Sequence, residues 1–158
     1  MKSGLVLFLA PPTIPRIDFA WFLDTIVEMS HYTEVPSLKK PLSDQVDQIK
    51  ENLLQQNLSE ILAVLLVGSV AKGKATYRSD IDLLFILRKP AIKADDSHQI
   101  FERFSKNLSD NSPLPVQIVV VGDSVFQTQE PAMKQNLKES IVLADPRGTV
   151  HTLIKSVS

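Results

Sequence analysis

Leu62–Leu87 reads LAVLLVGSVAKGKATYRSDIDLLFIL, and this stretch decides the fold. Two apolar runs flank a Gly-Ser turn, a short basic connection and two aspartates spaced by one residue. Ten residues, Val70 to Ser79, lie between Ser69 and Asp80. A strand has a side-chain period of two, so Asp80 and Asp82 point to one face, which Leu84 and Ile86 continue. Ile81, Leu83, Phe85 and Leu87 form the other face. A strand apolar on both sides beyond its first residues is expected to be central and covered. Two carboxylates at its head repel each other and resist desolvation, and a divalent cation is the simplest compensation.

Working outward, Ile61–Val67 is a continuous apolar run, expected as a buried strand, and Asp80–Leu87 as the next, ended by Pro90. Upstream, Ser43 is a plausible N-cap with Asp44 and Asp47 in the first turn. Val46, Ile49, Leu53 and Leu54 would share one helical face, and the helix should end near Asn57. Downstream, Asp95 or Ser97 is expected to cap a helix carrying Ile100, Phe101, Phe104 and Leu108. Val116–Val121 reads as a third strand, Pro131–Ser140 as a helix and Ile141–Leu143 as a short fourth strand. The order α-β-β-α-β-α-β places the chain in the α/β (α+β) class, a small mixed sheet of about four strands flanked by helices.

Residues 1–40 read differently and are set apart as an N-terminal extension, with residues 41–158 as the main domain and Pro36–Pro41 as the boundary region. In Ile17–Ser30 the polar residues before Ser30 are Asp18, Asp24, Thr25 and Glu28, which suits a helix with a wide apolar face buried on the sheet, on another copy or on a partner. Trp21 and Phe22 belong to that apolar set. Lys2 followed by Gly4–Ala10 mimics a secretory signal, but the run is short and Pro11-Pro12 follow at once. A buried strand, or a start codon placed too early, is the reading preferred there.

With 158 residues and 44% hydrophobic content the chain can fill one core. A net charge of −1 gives no bulk signal for nucleic-acid binding. The absence of cysteine excludes disulfides and thiolate metal sites, in keeping with a cytoplasmic location. No apolar run approaches the ~20 residues of a membrane span. His31, His98 and His151 are scattered without ligand spacing, and Asp145-Pro146-Arg147-Gly148 is a turn signal.

Gly68-Ser69-Val70-Ala71-Lys72-Gly73-Lys74-Ala75 almost spells a phosphate-binding P-loop. Its last position is Ala75 where a hydroxyl should hold Mg²⁺. A P-loop also opens a long crossover helix, and the next strand begins here by about Asp80. The P-loop is therefore rejected.

The strand, Gly-Ser turn and Asp-x-Asp strand together resemble the DNA polymerase β-like nucleotidyltransferase superfamily, and most closely its small, stand-alone minimal nucleotidyltransferases. The motif falls on Gly68, Ser69, Asp80 and Asp82, and the resemblance covers roughly 42–154. It implies a metal-dependent transfer of a nucleoside monophosphate, AMP from ATP or another nucleoside triphosphate, to a hydroxyl acceptor. Asp80 and Asp82 would be catalytic and bind Mg²⁺ (or Mn²⁺), one ion serving the attacking hydroxyl and one the leaving pyrophosphate. Gly68 and Ser69, with Lys72, Lys74 and Ser79, would bind the triphosphate, and Arg78 could add charge. Some members are antitoxins that modify a helical HEPN-type toxin, so the resemblance implies a separate protein of that kind as partner and acceptor, with a small molecule as the next choice.

The chain departs from the family in two places. The usual third carboxylate falls on Gln117, which carries no charge and is no useful base. Asp123 shares its parity but lies six residues on, roughly 20 Å along an extended strand. An arginine found after the Gly-Ser turn in several members is Val70 here. A nucleotide-binding or protein-interaction module that keeps the fold but has weakened catalysis is accordingly the rival reading.

Overall fold

The computed structural model describes residues 32–106, 108 and 112–158. The strand expected at Gly4–Ala10 and the helix expected over Ile17–Ser30 lie outside the described residues.

Helix α1 spans Pro36–Leu54. Its buried stripe, Leu38, Leu42, Val46, Ile49 and Leu53, advances by three or four residues at each step, the spacing of one helical face. The expected start at Ser43 is wrong: that residue sits in mid-helix and is buried. Pro36 occupies the first turn, where a missing N–H costs nothing, and Pro41 is accommodated one turn further on. The 40/41 boundary thus falls inside this helix. Leu54, expected on the apolar face, is 78% exposed because it lies one residue, about 100°, round from Leu53.

Strands β1 (Ile61–Val67) and β2 (Ile81–Leu87) form the centre of the sheet. Strands β3 (Val116–Gly122) and β4 (Ile141–Ala144) flank them in the order β3-β2-β1-β4. β1 runs antiparallel to both β2 and β4, whereas β2 and β3 are parallel. A parallel pair needs a crossover, and helix α3 (Ala94–Ser105) lies within it. The cap expected at Asp95 or Ser97 is instead Lys93, whose N–H donates to Asp96 Oδ2 at 2.8 Å. A one-turn helix α2 (Gly68–Ala71) links β1 toward β2. A 3-10 turn (Asp123–Gln127) and helix α4 (Pro131–Lys138) precede β4. Helix α5 (Val150–Lys155) follows it.

Both faces of the central strands are covered. On one face Leu83, Phe85 and Leu87 pack with α1 and with Ile100 and Phe104 of α3, the two phenylalanine rings lying 4.8 Å apart. On the other, Leu65, Leu84 and Ile86 pack with Phe126, Leu137 and Val150. Gln45 ties α1 to the approach of β3: its amide donates to Leu114 O at 2.9 Å and accepts from Leu114 N at 3.4 Å. Among the described residues no helix is long and apolar enough to cross a membrane.

Candidate active site

Three neighbouring strands place the polar groups of the motif together. At the head of β2, Asp82 pairs with Val67 of β1 on one side and with Gln117 of β3 on the other. Leu84 and Ile86, two and four residues on, bury the same face of β2.

Chain reversal at Gly68 brings the Gly-Ser turn against these carboxylates. Gly68 has φ +75°, and a Cβ there would collide with Asp82 Oδ2. The positive φ calls for glycine, and the missing Cβ leaves the Asp82 carboxylate its present place. Ser69 lies in the single turn of α2, and its carbonyl accepts the N–H of Lys74 at 2.9 Å. The brevity of α2 agrees with rejection of the P-loop. Val70 is fully buried in the core, so no charged side chain stands there.

The connection to β2 is closed by its own hydrogen bonds. Ala75 donates to Tyr32 O at 3.1 Å and accepts from Thr33 Oγ1 at 2.7 Å, which pins the loop to the segment before α1. Ser79 Oγ accepts the Thr76 N–H at 2.9 Å, and its own proton is not committed by that bond. Lys72 Nζ lies 3.7 Å from Glu139 Oε1, just past α4, a pairing with no signature in the sequence. Lys72, Lys74 and Arg78 are exposed.

Burial, and then the charge of Asp80, push the Asp82 carboxyl above the ordinary carboxylate range. Gln117 Nε2 donates to Asp80 Oδ2 at 2.9 Å, so the amide meets one member of the pair. Asp123 does not join them: Gly122 pairs with Leu87 at the far end of β2, and the Asp123 N–H is bonded to Lys89 O at 3.0 Å. No group of three His, Cys, Asp or Glu side chains suited to a metal occurs among the described residues. Two carboxylates with mutual repulsion do suit a hard divalent cation that completes its shell with water and phosphate oxygens. The donor chemistry therefore fits Mg²⁺ or Mn²⁺ at Asp80 and Asp82.

Comparison with solved structures gives likenesses of limited extent. A mutant of the toxin–antitoxin pair MntA–HpeT is 14% identical, with 71% of this chain and 83% of that chain covered and a TM-score of 0.47. A toxin–antitoxin with AMP-PNP is 13% identical, over 72% and 82%, at 0.44. A tri-AMPylated Shewanella oneidensis HEPN toxin in complex with MNT antitoxin is 11% identical, over 71% and 83%, at 0.44. No curated protein matches the chain. The nucleotidyltransferase domain model matches residues 46–144, more than half of the 158 residues and inclusive of Gly68, Ser69, Asp80, Asp82 and Gln117. The protein belongs to the nucleotidyltransferase domain family.

Proposed function

We propose that the protein transfers a nucleoside monophosphate, AMP from ATP, to a hydroxyl of a separate acceptor. The observation that carries this reading is the packing of Gly68 against Asp82, which brings the Gly-Ser turn beside two carboxylates on one strand face. Asp80 and Asp82 hold Mg²⁺ or Mn²⁺ in this account, and Gly68 and Ser69 receive the triphosphate. A bound cation would supply charge neutralisation at the phosphates and would lower the pKa of the attacking hydroxyl. Lys74, Lys72 and Ser79 border the same loop and add donors; Lys72 is shared with Glu139. The acceptor oxygen bonds to the α-phosphorus and its proton passes to solvent, the bond to the bridging oxygen of the β-phosphate breaks, and pyrophosphate leaves with that oxygen.

The proposed acceptor is a HEPN-type helical protein, as the motif resemblance implies, with a small molecule second. A cytoplasmic location belongs to the same reading. Contact through the N-terminal extension, residues 1–40, with another copy or with the partner, is part of it as well.

One observation favours a second reading. Gln117 stands where a third carboxylate serves as base and donates to Asp80 instead, so the hydroxyl proton has no third carboxylate to receive it. A module that binds nucleotide but does not transfer it would look the same. Incubation with α-labelled ATP, Mg²⁺ and a candidate HEPN-type protein separates the two. Label carried to the acceptor by the wild type and lost in Asp80→Asn supports transfer. No label from wild type, with ATP binding intact and transfer appearing in Gln117→Asp, supports the binding module.

A further inference from the structure

A cavity of about 450 Å³ opens at the end of β2 opposite Asp82. Six residues of extended strand, roughly 20 Å, separate Asp82 from Arg88. The volume lies in the range of small-molecule sites, ~300–1,000 Å³. Leu87 and Ile100 give the cavity an apolar wall, while Arg88, Lys89 and Arg103 bring three positive charges to it.

Two carboxylates, Glu60 and Asp96, also line it, and both are committed. Glu60 Oε1 accepts from Arg103 Nη1. Asp96 Oδ2 lies 2.6 Å from Lys89 Nζ and also accepts the Lys93 N–H. The Arg103 guanidinium is held over the Phe104 ring, 4.8 Å from its centroid, which fixes its orientation. Arg88 makes no ion pair among the described residues. Arg88 Nε and Arg103 Nη2 are buried and have no hydrogen-bond partner there. A buried donor left unmet costs about 1–3 kcal/mol, so such groups call for an explanation. The local balance is one positive charge in excess, carried on guanidinium forks whose planar geometry matches two-oxygen anions.

We propose that this cavity binds a small metabolite bearing a phosphate-monoester or carboxylate group. The oxyanion sits at Arg88 and Arg103, and the apolar part lies on Leu87 and Ile100. This site stands apart from nucleotidyl transfer and does not depend on Asp80 or Asp82.

Arginine Nε–H resonances read the site directly. Inorganic phosphate and citrate are titrated separately into the full-length protein, in metal-free buffer, with the five arginines assigned by substitution. The expected result is a saturable shift of the Arg88 and Arg103 resonances with at least one of the two anions. The preferred anion then identifies which oxyanion class the site takes. Arg88→Gln should weaken that binding by about tenfold or more, and Asp80→Asn should leave it unchanged. Arg88→Lys, which keeps the charge and loses the fork, guards against a fold defect in Arg88→Gln. Its binding should also weaken, at an unchanged melting temperature. No saturable shift with either anion at millimolar concentration would overturn the proposal, as would shifts confined to Arg78 or an affinity unaltered in both Arg88 variants.

Discussion

The two ends of β2 are built on opposite electrostatic plans. At its head, Asp80 and Asp82 put like charges on one face, and the Gln117 amide donates to Asp80 alone. Beyond its tail, Glu60 meets Arg103 and Lys89 meets Asp96. Opposite charges at the tail stabilise the fold modestly, since exposed pairs are worth little. Like charges at the head work against the fold and persist where something outside the chain relieves them. The same strand thus carries paired opposite charges at its tail, beside the Arg88 cavity, and unrelieved like charges at its head, beside Gly68.

The largest effect that would break this contrast is on transfer. Asp82→Asn should lower nucleotidyl transfer on the order of 10²–10³-fold, the scale of losing one group that stabilises developing charge. Its melting temperature should hold or rise, because removing a like charge relieves the head of β2. A lowered melting temperature would place Asp82 among the structural charges instead.

Gly68→Ala comes next. Backbone strain at φ +75° and collision with Asp82 should together cost about 1–3 kcal/mol, read as a lower midpoint in urea with an unchanged slope. Gly148 provides the comparison, since its φ is +69° with open space around a Cβ. Gly148→Ala should therefore cost less, and equal costs would remove the steric half of the argument.

Acid gives a smaller effect with opposite signs at the two ends. The Asp82 carboxyl is raised, so the folded state binds its proton more readily than the unfolded chain. Its penalty is absent below the ordinary carboxylate pKa and develops as pH rises through the raised value. The stabilisation from Asp82→Asn should therefore shrink as pH falls. Glu60 is lowered: burial pulls it up, but its backbone hydrogen bond and the charge and hydrogen bond of Arg103 outweigh that. Its contribution is present above the ordinary carboxylate pKa and is lost as pH falls through the depressed value. Glu60→Gln should destabilise at neutral pH and matter less in acid. Both groups are substantially exposed, so each difference should stay below about 1 kcal/mol. Thermal melts of the two variants against wild type across the acid range measure them.

Much of this architecture was legible because the decisive signals are local. The apolar runs of β1 and β2 and the parity of Asp80 and Asp82 follow from a period of two. Gly68 is demanded by its φ, and its neighbour Asp82 lies only fourteen residues away. The start of helix α1 is not legible because Pro36 and Pro41 suggest a break, whereas Pro36 lies in the first turn, a start position for proline, and Pro41 is carried inside the helix. The turn at Asp145 was visible, but its role was not: both carboxylate oxygens accept N–H groups, of Thr149 and Val150, at 3.1 Å and so start α5. The Lys72–Glu139 pair and the Arg88–Arg103 cavity join residues distant in sequence and leave no spacing to read.

The most direct test of the poised head of β2 is a calorimetric titration of ATP, with and without Mg²⁺, into wild type and into the Asp80→Asn, Asp82→Asn double variant. The account predicts binding that requires Mg²⁺ and disappears in the double variant while the fold persists. ATP binding that is indifferent to Mg²⁺ and undiminished in the double variant would contradict it.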